Sequence, residues 1–132
     1  MRVRSLDHFV LRVRDLDRSL AFYQGLLGLP VEGLEECRQG TRPFVSVRIG
    51  ESLLDLVPDS TLTSAAADDD RFLHFCVTLD DLPEAIRVFR DAGVPFLHDE
   101  PVSRRGARGT GLSIYARDPD GYVVELKEWT SR

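Results

Sequence analysis

The feature that most restricts how this chain can fold is an internal repeat. Setting residue 8 against residue 74 aligns LDHFVL (6–11) with FLHFCV (72–77), and Arg14-Asp15-Leu16 with Asp80-Asp81-Leu82. With a one-residue gap, Gly28-Leu29-Pro30 falls on Gly93-Val94-Pro95. Further on, GESLLDL (50–56) parallels GYVVEL (121–126): a turn glycine, an apolar run, a carboxylate, then leucine. A chain that repeats itself is built from copies of one supersecondary unit. The halves are 1–58 and 72–132, joined by DSTLTSAAADDDR (59–71), which has no apolar periodicity and reads as a linker with a solvated acidic run. A length of 132 residues suits one domain spanning 1–132, able to bury a core without disulfides.

Each half opens with a strand rich in β-branched and aromatic residues, HFVLRV (8–13) and HFCVTL (74–79). A helix follows. In the first half Leu16, Leu20, Phe22, Tyr23, Leu26 and Leu27 recur at helical spacing, with Asp15 as N-cap and Gly28 as the stop. In the second, Leu82, Ala85, Ile86 and Phe89 repeat the pattern between the cap Asp81 and Gly93, and Pro83 sits early, where proline is tolerated. Three more strands are expected per half, at 31–38, 42–49 and 52–57, then at 95–99, 111–117 and 121–128. Asp118-Pro119-Asp120-Gly121 is a strong turn signal between the last two.

Alternation sorts the strand faces. Phe9, Leu11 and Val13 oppose His8, Val10 and Arg12; Val45, Val47 and Ile49 oppose Phe44, Ser46 and Arg48; Leu54 and Leu56 oppose Asp55. In the second half Phe75, Val77 and Leu79 oppose His74, Cys76 and Thr78. Leu112, Ile114 and Ala116 oppose Ser113, Tyr115 and Arg117, and Val124 and Leu126 oppose Val123, Glu125 and Lys127. The first set of each strand suits packing under helices. The second mixes polar groups with apolar walls, as a binding cup does. His8 and His74 fall on that face at equivalent repeat positions, as do Asp55 and Glu125. A carboxylate inside an apolar strand is costly unless paired. Two imidazoles with one or two carboxylates form a donor set for a divalent first-row metal, and two histidines with one carboxylate also match the facial triad of non-haem iron enzymes. His98 has no counterpart in the repeat and reads as peripheral.

A net charge of −5 argues against a nucleic-acid partner, and Arg104, Arg105 and Arg108 read as a local solvated patch in the glycine-flanked loop 104–111. No apolar run approaches a membrane span, and MRVRSLDHF lacks the apolar stretch of a signal peptide. Two cysteines, Cys37 and Cys76, build no disulfide framework. A cytoplasmic location is the expectation.

LDHFVLRVRDLDRSLAFYQGLLGL (6–29), GESLLDLV (50–57), HFCV (74–77) and SIYARDPDGYVVELKE (113–128) resemble the vicinal oxygen chelate superfamily of glyoxalases, bleomycin-resistance proteins and dioxygenases. The resemblance spans nearly the whole chain and is closest to the small glyoxalase I-like members. It implies an α+β fold of paired βαβββ modules, a cupped mixed β-sheet with helices on its outer face. It also implies one divalent transition metal (Zn, Ni, Mn, Fe or Co) held by His8, His74 and Glu125. Asp55 lies nearest the fourth-strand ligand, where the family usually has glutamate, glutamine or histidine; being a carbon shorter, it departs from the pattern.

The implied activity is that of a metal-dependent lyase or isomerase acting on a small oxygen-chelating substrate. There the metal stabilises an enediolate or similar oxyanion and a carboxylate moves a proton between carbons, Glu125 or alternatively Asp55. Arg48, Tyr115, Arg117, Lys127 and Arg108 are the candidates for binding an anionic substrate, and a homodimer sharing the site is implied. The competing activities are an Fe(II) dioxygenase, a fosfomycin-type thiol transferase and a drug-binding resistance protein without catalysis.

Overall fold

A computed structural model describes residues 1–63 and 71–131. The chain divides into two compact units, Met1–Thr63 and Ser64–Arg132. The expected linker lies largely outside the described residues.

In the first unit, strand β1 (His8–Val13) leads into helix α1 (Leu16–Leu20). The Asp15 side chain caps this helix by accepting from the Arg18 N–H at 3.3 Å. The helix continues as a π-helical stretch, Ala21–Leu26, in which the Leu27 N–H bonds the Phe22 carbonyl at 3.1 Å. Gly28, at φ 68°, lets the chain leave it. There follow β2 (Val31–Glu32), α2 (Leu34–Arg38), β3 (Val45–Ile49) and β4 (Ser52–Pro58). The sheet order is β1-β4-β3-β2, with β1 parallel to β4 and the other pairs antiparallel. Val13, Tyr23, Val45, Val47, Leu54 and Leu56 are fully buried.

The second unit repeats this plan. It runs β5 (Phe75–Leu79), α3 (Leu82–Asp91), β6 (Val102–Gly106), β7 (Gly109–Arg117) and β8 (Val123–Glu128), in the order β5-β8-β7-β6. Asp81 caps α3 through the Glu84 N–H at 3.0 Å. Leu82, Ile86 and Phe89 form its buried stripe. Ile114, Ala116, Val124 and Leu126 are fully buried. Asp118 shapes the turn into β8, its Oδ1 accepting from the backbones of Asp120 and Tyr122, both at 2.9 Å. In each sheet the last strand in sequence lies between a parallel and an antiparallel neighbour, and it carries the carboxylate.

Two expected strands are corrected. Segment 31–38 pairs only at Val31 and Glu32. Gly33 then turns at φ 78° and the helix formers LEECR wind into α2. Segment 95–99 is not a strand but a single bridge, Phe96 to Ala116. Pro95 has no N–H to give. The Tyr115 N–H, which a continuing ladder would use, is taken by the His98 side chain at 3.2 Å. The true edge strand is β6, which overlaps the segment read as a loop, 104–111, at residues 104–106. Its turn is Ala107-Arg108, closed by Gly106 opposite Gly109. Its arginines are exposed, as charged residues on an edge strand usually are.

Candidate functional site

In the second unit the sheet brings His74 and Glu125 together. Glu125 sits on β8, opposite Cys76 on β5 and Tyr115 on β7, and is only 5% exposed. His74 immediately precedes β5, and its Nε2 lies 3.1 Å from Glu125 Oε1. The other carboxylate oxygen accepts from the Ser113 hydroxyl at 2.7 Å. Ser113 is not directly opposite Glu125 but one step diagonal, facing Lys127. The extra methylene of glutamate spans that offset. The Tyr115 ring stands edge-on to His74, with centroids 5.2 Å apart. Burial raises the Tyr115 hydroxyl above its ordinary pKa of 10.0; the hydrogen bond from Arg104 opposes this and the Glu125 charge adds to it. The Cys76 thiol is pushed up to about 12, first by desolvation and then by Glu125, so it is a protonated thiol beside the carboxylate at neutral pH.

The first unit handles its pair differently. Asp55, 7% exposed on β4, has its Oδ1 bound by the Ser46 hydroxyl at 2.6 Å, directly across the strand pair. Ser46 Oγ in turn accepts from Arg42 Nη2 at 2.7 Å. His8 does not contact Asp55. Its Nδ1 bonds Asp7 at 2.7 Å, and that bond is the main cause raising the imidazole above its ordinary 6.5; slight desolvation opposes the shift and the Asp55 charge adds to it. An Nδ1–H bound to a carboxylate leaves Nε2 as the free donor atom, the arrangement usual for metal-ligating histidines.

The remaining basic candidates are largely engaged within the protein. Arg48 is paired with Glu32, Nε to Oε2 at 2.5 Å. Arg117 donates to the Gly121 carbonyl at 2.9 Å. Lys127 is 3% exposed and donates to the carbonyls of Arg104 at 2.6 Å and Gly111 at 3.2 Å, tying down the β6–β7 hairpin. Arg108 lies 3.6 Å over the Trp129 ring and donates to the Thr130 carbonyl at 2.8 Å. Tyr115 alone of this group touches the His74–Glu125 pair. Beside it stands a residue the sequence reasoning missed, Arg104, whose Nε donates to the Tyr115 hydroxyl at 3.2 Å. Recognising Val102–Gly106 as a strand would have exposed it, since Arg104 pairs with Gly111, two residues before Ser113 along β7. His98 has a structural role, its Nδ1 on the Glu100 carbonyl at 2.7 Å and its Nε2 on the Tyr115 N–H.

Comparison with known proteins fits this geometry. Residues 5–126 match the Glyoxalase/Bleomycin resistance protein/Dioxygenase superfamily. A glyoxalase domain-containing protein of Mycosarcoma maydis is 31% identical, covering 98% of this chain and 70% of its own length. A lactoylglutathione lyase of Neisseria meningitidis serogroup A is 30% identical, with 92% and 88% covered. Among solved structures, an integron cassette protein from the mobile metagenome of Vibrio cholerae superposes with a TM-score of 0.75 at 28% identity, covering 98% of both chains. Two mixed four-stranded sheets, each carrying a carboxylate on its inner strand, define an α+β protein of the vicinal oxygen chelate kind. The chain belongs to the glyoxalase, bleomycin-resistance and dioxygenase superfamily.

Members of this superfamily typically use a divalent metal, and the His74–Glu125 pair of the second unit offers nitrogen and oxygen donors that suit one. His74 Nε2 and Glu125 Oε1 are a nitrogen and an oxygen donor of the kinds that divalent first-row metals take, and they lie 3.1 Å apart, where they also form an ion pair with each other when the imidazole is protonated. No three His, Cys, Asp or Glu side chains among the described residues gather as a metal site. No helix among those residues is long and apolar enough to cross a membrane.

Proposed function

We propose that the protein is a metal-dependent lyase or isomerase of glyoxalase type, with His8, His74, Glu125 and Asp55 as the donor set for one divalent transition metal. The observation that carries this reading is the His74–Glu125 pair, whose carboxylate is buried, fixed by Ser113 and 3.1 Å from the imidazole nitrogen, so that a nitrogen and an oxygen donor meet at one place. The 30% identity to a protein named as a lactoylglutathione lyase supports the same class.

The bound metal supplies Lewis acidity toward neighbouring substrate oxygens. The protein's own groups do the rest. Ser113 holds Glu125 in one orientation, so that a proton passing to or from Oε1, the oxygen beside His74, meets a fixed acceptor. Asp55 is the alternative base. Tyr115 and Arg104 present an O–H and a guanidinium beside the pair for a polar or anionic arm of a small substrate.

The test is elemental analysis of wild type, His8→Ala and Glu125→Ala after metal loading and desalting, beside an assay of lactoylglutathione lyase activity. Retention of about one equivalent by wild type and its loss in both variants is expected. Zinc or nickel with lyase turnover supports the reading, whereas bound iron with oxygen consumption replaces it with the dioxygenase. Wild type that holds no metal under conditions that load a known metalloprotein overturns it in favour of drug binding without catalysis.

A further inference from the structure

Arg42 occupies a seat that the fold shapes for it. Its guanidinium lies 4.2 Å over the Phe44 ring. On another side is Gly33, where a Cβ would come within 2.1 Å of Arg42 Nη1, so no other residue fits without displacing the arginine. Its Nε is buried without a hydrogen-bond partner. A buried donor left unpaired is destabilising, so packing and hydrogen bonding alone are an incomplete account of an arginine here. What Arg42 does engage is Ser46 Oγ at 2.7 Å, and the same hydroxyl gives its own proton to Asp55 Oδ1 at 2.6 Å. Ser46 is 1% exposed, so water does not compete for either bond.

A serine hydroxyl has one proton and can point it one way. Facing a cation that only donates, Ser46 must accept from Arg42 and give its proton to Asp55. We infer that Arg42 is a positioning residue for Asp55: acting through Ser46, it fixes the hydroxyl's direction, pins Oδ1 and leaves Oδ2 as the presented oxygen. Oδ2 accepts no hydrogen bond from the described residues. The inference rests on the metal reading for its consequence, because the presented oxygen is the one available to an ion or a substrate proton.

A double-mutant cycle on the full chain tests it, using Co(II) as the probe. Co(II) affinity, by competition with a chromophoric chelator, and the visible Co(II) spectrum are measured for wild type, Arg42→Met, Arg42→Lys, Asp55→Asn and Arg42→Met/Asp55→Asn. Arg42→Met is expected to weaken Co(II) binding about tenfold, within the range of outer-shell changes, and to add nothing once Asp55 is asparagine. Arg42→Lys, which keeps a cationic donor, should recover most of the loss. A loss that persists undiminished in the Asp55→Asn background, or none in Arg42→Met, overturns the inference. Thermal unfolding of the same variants without metal separates the two readings. If wild type takes up no Co(II), the metal reading fails, and the inference stands or falls on whether the Arg42 and Asp55 effects on Tm are non-additive.

Discussion

Asp55 and Glu125 occupy the same place in their sheets, on a strand with one parallel and one antiparallel neighbour, yet they are held in different ways. Asp55 is fixed by the residue directly opposite, Ser46, which is backed by a cation, and its histidine is tied elsewhere, to Asp7. Glu125 reaches diagonally to Ser113 and meets its histidine directly. One methylene accounts for much of the difference. The shorter side chain is bound from the facing position, while the longer one reaches past the facing Tyr115 to Ser113 and leaves an oxygen for His74. The second unit therefore holds a joined nitrogen–oxygen pair, and the first holds two separately oriented groups.

The largest expected effect breaks this comparison at its centre. Glu125→Gln should weaken metal retention more than about 100-fold, beyond the usual reach of an outer-shell change. Asp55→Asn should cost about tenfold or less, the smaller loss expected of a donor that is not joined to its histidine. Chelator competition on both variants measures the two losses, and equal losses would mean that the halves contribute alike despite their different geometry.

Next comes the core beneath each carboxylate. Leu56 and Leu126 follow Asp55 and Glu125 by one residue and are both fully buried. Replacing either by alanine should destabilise by about 2–5 kcal/mol. Chemical denaturation read by fluorescence and circular dichroism then sharpens the comparison. One shared transition for both variants means the units unfold together, whereas a second transition appearing in only one variant assigns stability to that unit.

A smaller effect lies in the glycines. Gly28 and Gly93 stop equivalent helices at φ 68° and 76°, with nothing near a new Cβ. Alanine at either should cost about 1–2 kcal/mol for the left-handed conformation. Gly33→Ala carries the same strain at φ 78° and also displaces the Arg42 guanidinium, so its loss of Tm should exceed that of Gly28→Ala or Gly93→Ala. A Tm no lower than theirs would show that Arg42 moves aside freely.

Much of this was legible in the sequence, because the repeat makes each half evidence for the other. The matched histidines, carboxylates, caps and turn glycines located β1, α1, β4, β5, α3 and β8 to within a residue or two at most ends. The reading failed where the halves stop matching. Between helix and third strand the first half inserts α2 after Gly33, and the second half runs past His98 into β6. Neither deviation has an alternating pattern to announce it. A ladder donor captured by an imidazole, or an edge strand written as Arg-Arg-Gly, is a tertiary arrangement with little local signal. The site was legible as residue types on one face. What alternation cannot supply is partners: that Lys127 and Arg117 bond to carbonyls, that Ser113 rather than a basic group fixes Glu125, and that Arg42 stands behind Asp55.

The smallest expected effect concerns the arginines at matching register positions, Arg48 and Arg117. Arg117 donates to a carbonyl, which does not titrate in the ordinary range. Arg48 is paired with Glu32 and holds that carboxyl below its ordinary 4.5, chiefly through their hydrogen bond. A group whose pKa is lowered on folding stabilises the protein above its unfolded pKa, and that contribution fades as pH falls through the folded value. Glu32→Gln should therefore lower Tm slightly at pH 7, and the gap from wild type should close as pH is taken below about 4.5. Added salt should narrow it too, since the pair is exposed. Arg117→Gln should show a Tm difference with no such pH dependence in the same window. Scans of Tm against pH for the three proteins decide it: a Glu32→Gln gap that is constant with pH would mean the Arg48 pair adds no charge-dependent stability, and that the two arginines, unlike the two carboxylates they flank, behave alike.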